Sequence, residues 1–126
     1  MSVLKHGELS EKVIRCAMNV HSVLGPGLLE SAYNQCLCHE LHINGISFER
    51  EKPLPVVYKD CRLDCGYRID IMVEDKIIVE LKSISELKEI HKAQLLSYMK
   101  LAGINKGLLL NFNVTHLRNG LESLVL

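Results

Sequence analysis

Asp70, Glu80 and Lys82 are the residues of this chain whose types and spacing can do chemistry. They lie in Gly66-Tyr-Arg-Ile-Asp-Ile-Met-Val-Glu-Asp-Lys-Ile-Ile-Val-Glu-Leu-Lys82, inside two apolar stretches of a kind that normally excludes charge. Ile69, Ile71 and Val73 alternate ahead of Glu74-Asp75-Lys76, and Ile77, Ile78, Val79 and Leu81 follow, which predicts a hairpin. With a three-residue loop, Val73 pairs with Ile77 and Asp70 falls opposite Glu80, their Cβ atoms about 5 Å apart. Lys82 shares the sheet face of Glu80, because strand side chains alternate with period two.

Two carboxylates at one spot repel each other, which raises one pKa unless a cation sits between them. All-oxygen ligation suits a hard cation such as Mg²⁺, which is usually held by one or two carboxylates together with water and phosphate oxygens. A lysine beside such a site can orient or help deprotonate a water, or neutralise charge developing on a phosphodiester. The same three residues also fit a cross-strand ion-pair ladder on a solvated face, which contributes little energy and no chemistry.

The elements that must position these residues belong to a chain of 126 amino acids, the length of one domain (residues 1–126) with a proper core. Its 48% hydrophobic and 24% charged content is that of a globular protein. Fifteen basic and fifteen acidic residues cancel, which argues against a histone-like binder working by bulk phosphate neutralisation. The first residues, Met1 to Glu8, show no long apolar run, and nothing later approaches a membrane span, so no membrane association and a cytoplasmic location are expected. Five cysteines, an odd number without repeated C-x-x-C spacing, read as reduced thiols, with Cys16 and Cys36 in the core. A metal site of Cys36, Cys38, Cys61 and Cys65 is the weaker alternative, because the spacing is not that of a zinc knuckle.

Ser10 is placed to cap a helix running to Leu24, with Val13, Ile14, Ala17, Val20 and Leu24 on its buried face. Gly25-Pro26-Gly27 breaks it, and a second helix is predicted from Leu28 to His42, ended by Asn44-Gly45. Strands follow at Ile46–Glu51 and Leu54–Tyr58, with a turn at Lys59-Asp60, then the hairpin. Ser83-Ile-Ser-Glu86 resembles a capping box opening a third helix through Leu87, Ile90, Leu95 and Leu101 to Gly103. Gly107–Phe112 reads as a strand buried on both faces, and Leu121–Leu126 as a last strand. A helix between the Glu80 and Leu108 strands implies a parallel crossover. The expected fold class is α/β, an α+β sandwich with a mixed central sheet flanked by helices.

His91, Gln94 and Tyr98, spaced i, i+3, i+7, project from one face of the third helix, which directly follows the acidic strand. Gln94 and Tyr98 can donate hydrogen bonds near a metal or phosphate, and His91 can bind phosphate or carry a proton. Each residue type also serves simply to satisfy backbone groups. Glu30 follows Gly25-Pro26-Gly27 in a first helical turn, where the helix dipole favours an acid in any case.

Taken together, Glu30, Asp70, Glu80-Leu81-Lys82 and Gln94-x-x-x-Tyr98 resemble the PD-(D/E)XK nuclease superfamily, in particular its Gln-x-x-x-Tyr branch of RecB-like and Cas4-like nucleases. Gly-Pro-Gly-Leu-Leu-Glu-Ser-Ala-Tyr (25–33), Gly-Tyr-Arg-Ile-Asp (66–70), Ile-Ile-Val-Glu-Leu-Lys (77–82) and His-Lys-Ala-Gln-Leu-Leu-Ser-Tyr (91–98) look like the small bacterial group called GxxExxR proteins. The resemblance implies a restriction-endonuclease-like core and a Mg²⁺- or Mn²⁺-dependent nuclease acting on nucleic acid, with DNA the favoured substrate. It implies that Asp70, Glu80 and the carbonyl of Leu81 bind the metal, Lys82 positions the attacking water, Glu30 assists, and Gln94 and Tyr98 brace the site. Arg68, His91 and Lys92 are candidates for nucleic-acid contacts, beside Arg50, Lys52, Arg62 and Lys88. The sequence departs from the group at Tyr33, where Gly-x-x-Glu-x-x-Arg has its arginine, and Ile69 stands where the superfamily name has proline.

A catalytically inactive module of the same fold, gripping nucleic acid or a protein partner, is the alternative favoured by neutral charge and the missing arginine. A homodimer would enlarge a nucleic-acid groove that one small copy cannot supply.

Overall fold

The computed structural model describes residues 6–126. The reading of the first residues as free of an apolar leader falls mostly on residues 1–5, outside the described part. Two helices, α1 (Gly7–Leu24) and α2 (Glu30–Ile43), precede strands β1 (Phe48–Pro53), β2 (Val56–Tyr58), β3 (Cys61–Leu63), β4 (Arg68–Val73) and β5 (Ile77–Lys82). Helix α3 (Glu89–Ala102), β6 (Lys106–Asn111), a short 3₁₀ turn and β7 (Leu121–Val125) complete the chain. Five strands form one mixed sheet in the order β1-β4-β5-β6-β7, in which only β5 and β6 run parallel, joined by α3. The α+β architecture is the one expected from the sequence.

Apolar layers lie on both faces of this sheet. Val13, Ala17 and Val20 of α1 and Tyr33, Leu37 and Leu41 of α2 pack on Ile71, Val73, Ile77, Val79, Leu81, Leu108 and Leu110. Leu95, Tyr98 and Met99 of α3 pack on Met72, Ile78 and Leu109 across the other face. β6 is buried along its whole length, as an apolar run enclosed on both sides must be. Gly107 lets α3 approach closely: a Cβ there would stand 2.7 Å from Met99 Sδ and 3.1 Å from the Leu95 methyl carbons.

Several sequence expectations are corrected. Helix α1 starts three residues before Ser10, which lies inside it, buried beside Val13, and caps nothing. Leu9 packs against the core, so burial draws the helix one turn further back than the capping signal suggests. Ser83 and Glu86 do not cap α3; the helix begins at Glu89, where the Lys88 N–H donates to His91 Nδ1 at 2.9 Å. Ile90, expected on the apolar face, is 70% exposed. β2 does not join the main sheet but, among the described residues, pairs only with β3, a strand the sequence reading missed. Cys38 is the more deeply buried cysteine of α2, while Cys36 is partly buried against the same core. Among the described residues no three His, Cys, Asp or Glu side chains are grouped to hold a metal, so the four-cysteine site does not form. No described helix is long and apolar enough to cross a membrane.

Candidate active site

The β4–β5 hairpin has the register read from its apolar alternation: Val73 faces Ile77, Met72 faces Ile78 and Ile71 faces Val79. Glu74 and Asp75 take left-handed conformations, and the Lys76 N–H closes the loop on the Val73 carbonyl at 2.9 Å. Beyond Ile71 and Val79 the regular pairing stops. The next residues, Asp70 and Glu80, replace it with side chains: the Leu81 N–H donates to Asp70 Oδ2 at 2.9 Å, and the Asp70 N–H to Glu80 Oε1 at 3.3 Å. On the opposite side, Arg50 pairs with Ile71 and Lys52 with Ile69, so Glu51 stands across from Asp70. Glu51 is left-handed (φ 54°) and makes no ladder pair there. Both strands flanking Asp70 therefore depart from regular pairing beside it.

Glu80 is 5% exposed. Burial, and then the neighbouring negative charge of Asp70, push its carboxyl from 4.5 up to about 9, with Lys82 pulling weakly the other way. The Tyr98 hydroxyl is likewise pushed up, by burial and then by the charge of Glu80. At neutral pH the acid pair thus holds a proton that a cation would displace. The donors fit a hard divalent ion. Each carboxylate gives one oxygen to a backbone N–H and keeps the other, and the Leu81 carbonyl leaves its strand on the same edge as the N–H that reaches Asp70.

A polar chain runs from this point into α3. Lys82 Nζ donates to Gln94 Oε1 at 3.2 Å, and Gln94 Nε2 donates to the Tyr98 hydroxyl at 3.3 Å. The fold therefore brings together Asp70, Glu80, Leu81, Lys82, Gln94 and Tyr98. Glu30 opens α2 and is exposed. Its loop is tied to the acidic strand through the Ser83 hydroxyl, which donates to the Leu28 carbonyl at 2.6 Å. Tyr33 is fully buried, stacked on Phe112 at 4.5 Å, and its hydroxyl donates to the Gly25 carbonyl at 2.6 Å while accepting the Leu28 N–H at 3.1 Å. The residue in the arginine position thus clamps the Glu30 loop from inside.

The candidate basic residues divide. His91 is engaged through Nδ1 at the start of α3. Lys92 lies 3.3 Å from Glu89 and 3.5 Å from Glu122, Lys52 pairs with Glu49 and Asp75, and Arg50 Nε donates to Asn34 Oδ1 at 2.8 Å. Arg68 is exposed two residues before Asp70 and, with Arg62, has no ion pair among the described residues.

Asn111 is the positioning residue that the sequence reading missed. Buried at the end of β6, it accepts the Ile84 N–H at 3.1 Å and donates to the Ile84 carbonyl at 3.0 Å, fixing the chain just past Lys82. Its signal was available as a polar residue near the end of the apolar run Gly107–Phe112.

Neither a curated protein nor a solved structure matches the chain significantly. A family model does, over residues 7–124, and its description is the PD-(D/E)XK nuclease superfamily, whose members are in general divalent-metal-dependent nucleases. With the acid pair and the lysine seated at the end of a parallel-crossover strand in a mixed sheet, this match over nearly the full length settles the family: the chain belongs to the PD-(D/E)XK nuclease superfamily.

Proposed function

We propose that this protein is a Mg²⁺- or Mn²⁺-dependent nuclease of the Gln-x-x-x-Tyr, GxxExxR-like type, hydrolysing phosphodiester bonds of DNA by direct attack of water. The observation that carries the reading is the join between the acid pair and α3: Asp70 and Glu80 interlocked at the end of the ladder, with Lys82 beside them on Gln94 and Tyr98. An ion-pair ladder would put Lys82 on a carboxylate; here its hydrogen bond goes to an amide.

Asp70, Glu80 and the Leu81 carbonyl would hold the metal, which when bound supplies Lewis-acid activation and charge neutralisation. Lys82 orients the attacking water and offsets negative charge on the phosphoryl oxygens. Gln94 fixes the Lys82 ammonium, leaving its remaining protons for water and phosphate. Tyr98, kept protonated, holds the far side of Gln94. Glu30, exposed at the start of α2 beside the loop clamped by Tyr33, would assist through the attacking water.

The test is calorimetric titration of Mn²⁺ into the wild type and into an Asp70→Asn/Glu80→Gln double variant, with cleavage of mixed DNA substrates followed on the same preparations. The expected outcome is binding and cutting in the wild type and neither in the variant, with Lys82→Ala binding metal but not cutting. Full cleavage by any of these variants would sink the assignment, and DNA binding without metal uptake or cleavage would identify an inactive module.

A further inference from the structure

The chain has four tyrosines, two phenylalanines and no tryptophan. Tyr33 and Phe112 are stacked in the core, Tyr98 belongs to the site and Phe48 is half-buried. The remaining two rings, Tyr58 (60% exposed) and Tyr67 (46% exposed), both stand on the segment between β1 and β4. That segment is an arm. Among the described residues β2 and β3 pair with each other and with no other strand, around a turn whose Lys59 and Asp60 are both left-handed, as a two-residue hairpin requires. Its base is fixed: Leu54 is buried against the α3 side of the core, and its N–H donates to the Tyr67 carbonyl at 2.9 Å. An isolated two-stranded ribbon is marginal in water, and this one also leaves Val57 and Leu63 exposed. It has the form of a surface awaiting a ligand.

Charge and position indicate which ligand. Lys59, Arg62 and Arg68 make no ion pair among the described residues, and Lys59 Nζ lies over the Tyr58 ring at 5.4 Å. Of the two acids on the arm, Asp64 is engaged by the Gly66 N–H at 3.0 Å. The arm is continuous with the candidate active site, because Tyr67 sits edge-on to Tyr98 with ring centres 5.8 Å apart, and Arg68 precedes Asp70 by two residues on β4. Exposed aromatic rings interleaved with cations that form no ion pair are what an unpaired nucleic-acid strand needs, since every base offers a face to stack and every phosphate a charge to match. A duplex hides its base faces.

We propose that residues 54–68 form a single-strand platform, on which Tyr58 and Tyr67 stack against unpaired bases while Lys59, Arg62 and Arg68 hold the backbone. The position of the scissile phosphate beside the platform rests on the nuclease reading; the platform itself does not.

The test is fluorescence anisotropy of labelled oligonucleotides with the intact chain in EDTA, where cleavage plays no part. The probes are a mixed-sequence single strand, an abasic strand of equal length and a perfect duplex. The expected order is single strand tightest, with Tyr58→Ala weakening it roughly fivefold or more and Tyr58→Phe staying near wild type. Arg62→Ala lowers the salt slope by about 0.7. Thermal melting of each variant confirms its fold. An abasic strand bound as tightly as the normal one, a Tyr58→Ala variant with unchanged affinity, or no binding of any strand would overturn the platform. So would self-association of the chain that depends on Tyr58 while strand binding does not. Tyr58-dependent binding without any metal-dependent cleavage would leave the platform standing and remove the nuclease reading; cleavage without Tyr58-dependent binding would do the reverse.

Discussion

Glu80→Gln should stabilise the metal-free protein, and more so as pH rises. In the folded chain burial and Asp70 raise the Glu80 carboxyl from 4.5 to about 9. Between those values the native state retains a proton that the unfolded chain has lost, so the stability Glu80 contributes is full below about pH 4.5 and declines as pH climbs towards 9. Each unit in that window is worth about 1.4 kcal/mol, so between pH 5 and pH 8, roughly three units, the wild type loses on the order of 4 kcal/mol through this group alone. Glutamine keeps the volume and an acceptor for the Asp70 N–H and does not titrate. Its advantage over wild type should therefore widen by that amount, about 10–15 °C in melting temperature for a chain of this size. Urea unfolding in EDTA at the two pH values measures it. Mn²⁺ should close the gap by stabilising only the wild type. Parallel pH profiles for the two proteins in EDTA, differing by less than about 1 kcal/mol across the window, would refute a buried, strained acid pair.

Two further outcomes follow from packing. Gly107→Ala drives a methyl group into Met99 and Leu95; the overpacking should cost about 1–3 kcal/mol in urea unfolding, and cleavage should fall further than stability, because α3 carries Gln94 and Tyr98. Tyr33→Phe removes the hydroxyl joining the Gly25 carbonyl and the Leu28 N–H; a loss of about 1–3 kcal/mol by denaturant unfolding is expected, with metal affinity retained.

The hairpin register was legible because a three-residue loop at Glu74-Asp75-Lys76 makes Val73 meet Ile77, and one fixed register places the residues that follow; the facing of Ile69 was not, since it packs on the α3 side while Ile71 and Val73 face α1 and α2. The buried β6 run was legible for a related reason, that apolar patterning records burial. Polar residues were the ones misread, because a hydroxyl or amide does not state its partner. Ser83 looks like a helix cap three residues before Glu86, yet its hydroxyl goes to Leu28, far away in sequence. The stretch it opens runs past Asn111 and Asn113, which bond Ile84, before α3 can start. The arm was half legible: Lys59-Asp60 marked the turn, whereas Cys61–Leu63 alternates too briefly to read as a strand. At the candidate site the types and spacing of Asp70, Glu80, Lys82, Gln94 and Tyr98 were readable; that Tyr33 faces inward was not.

The way Asp70 and Glu80 are seated also bears on how such a site would decay under mutation. Each carboxylate accepts a backbone N–H where the ladder ends, so losing either side chain leaves an inward-facing donor without its partner as well as removing a metal ligand. A descendant that had abandoned catalysis would still be held to an acceptor at both positions, a need that the amides of glutamine and asparagine meet without the charge. Lys82 has no comparable tie: its hydrogen-bond partner is Gln94, and neither residue holds main chain. In a lineage drifting towards inactivity the lysine and the glutamine would be the least held by folding, so these two positions, more than the acids, would record whether catalysis is kept.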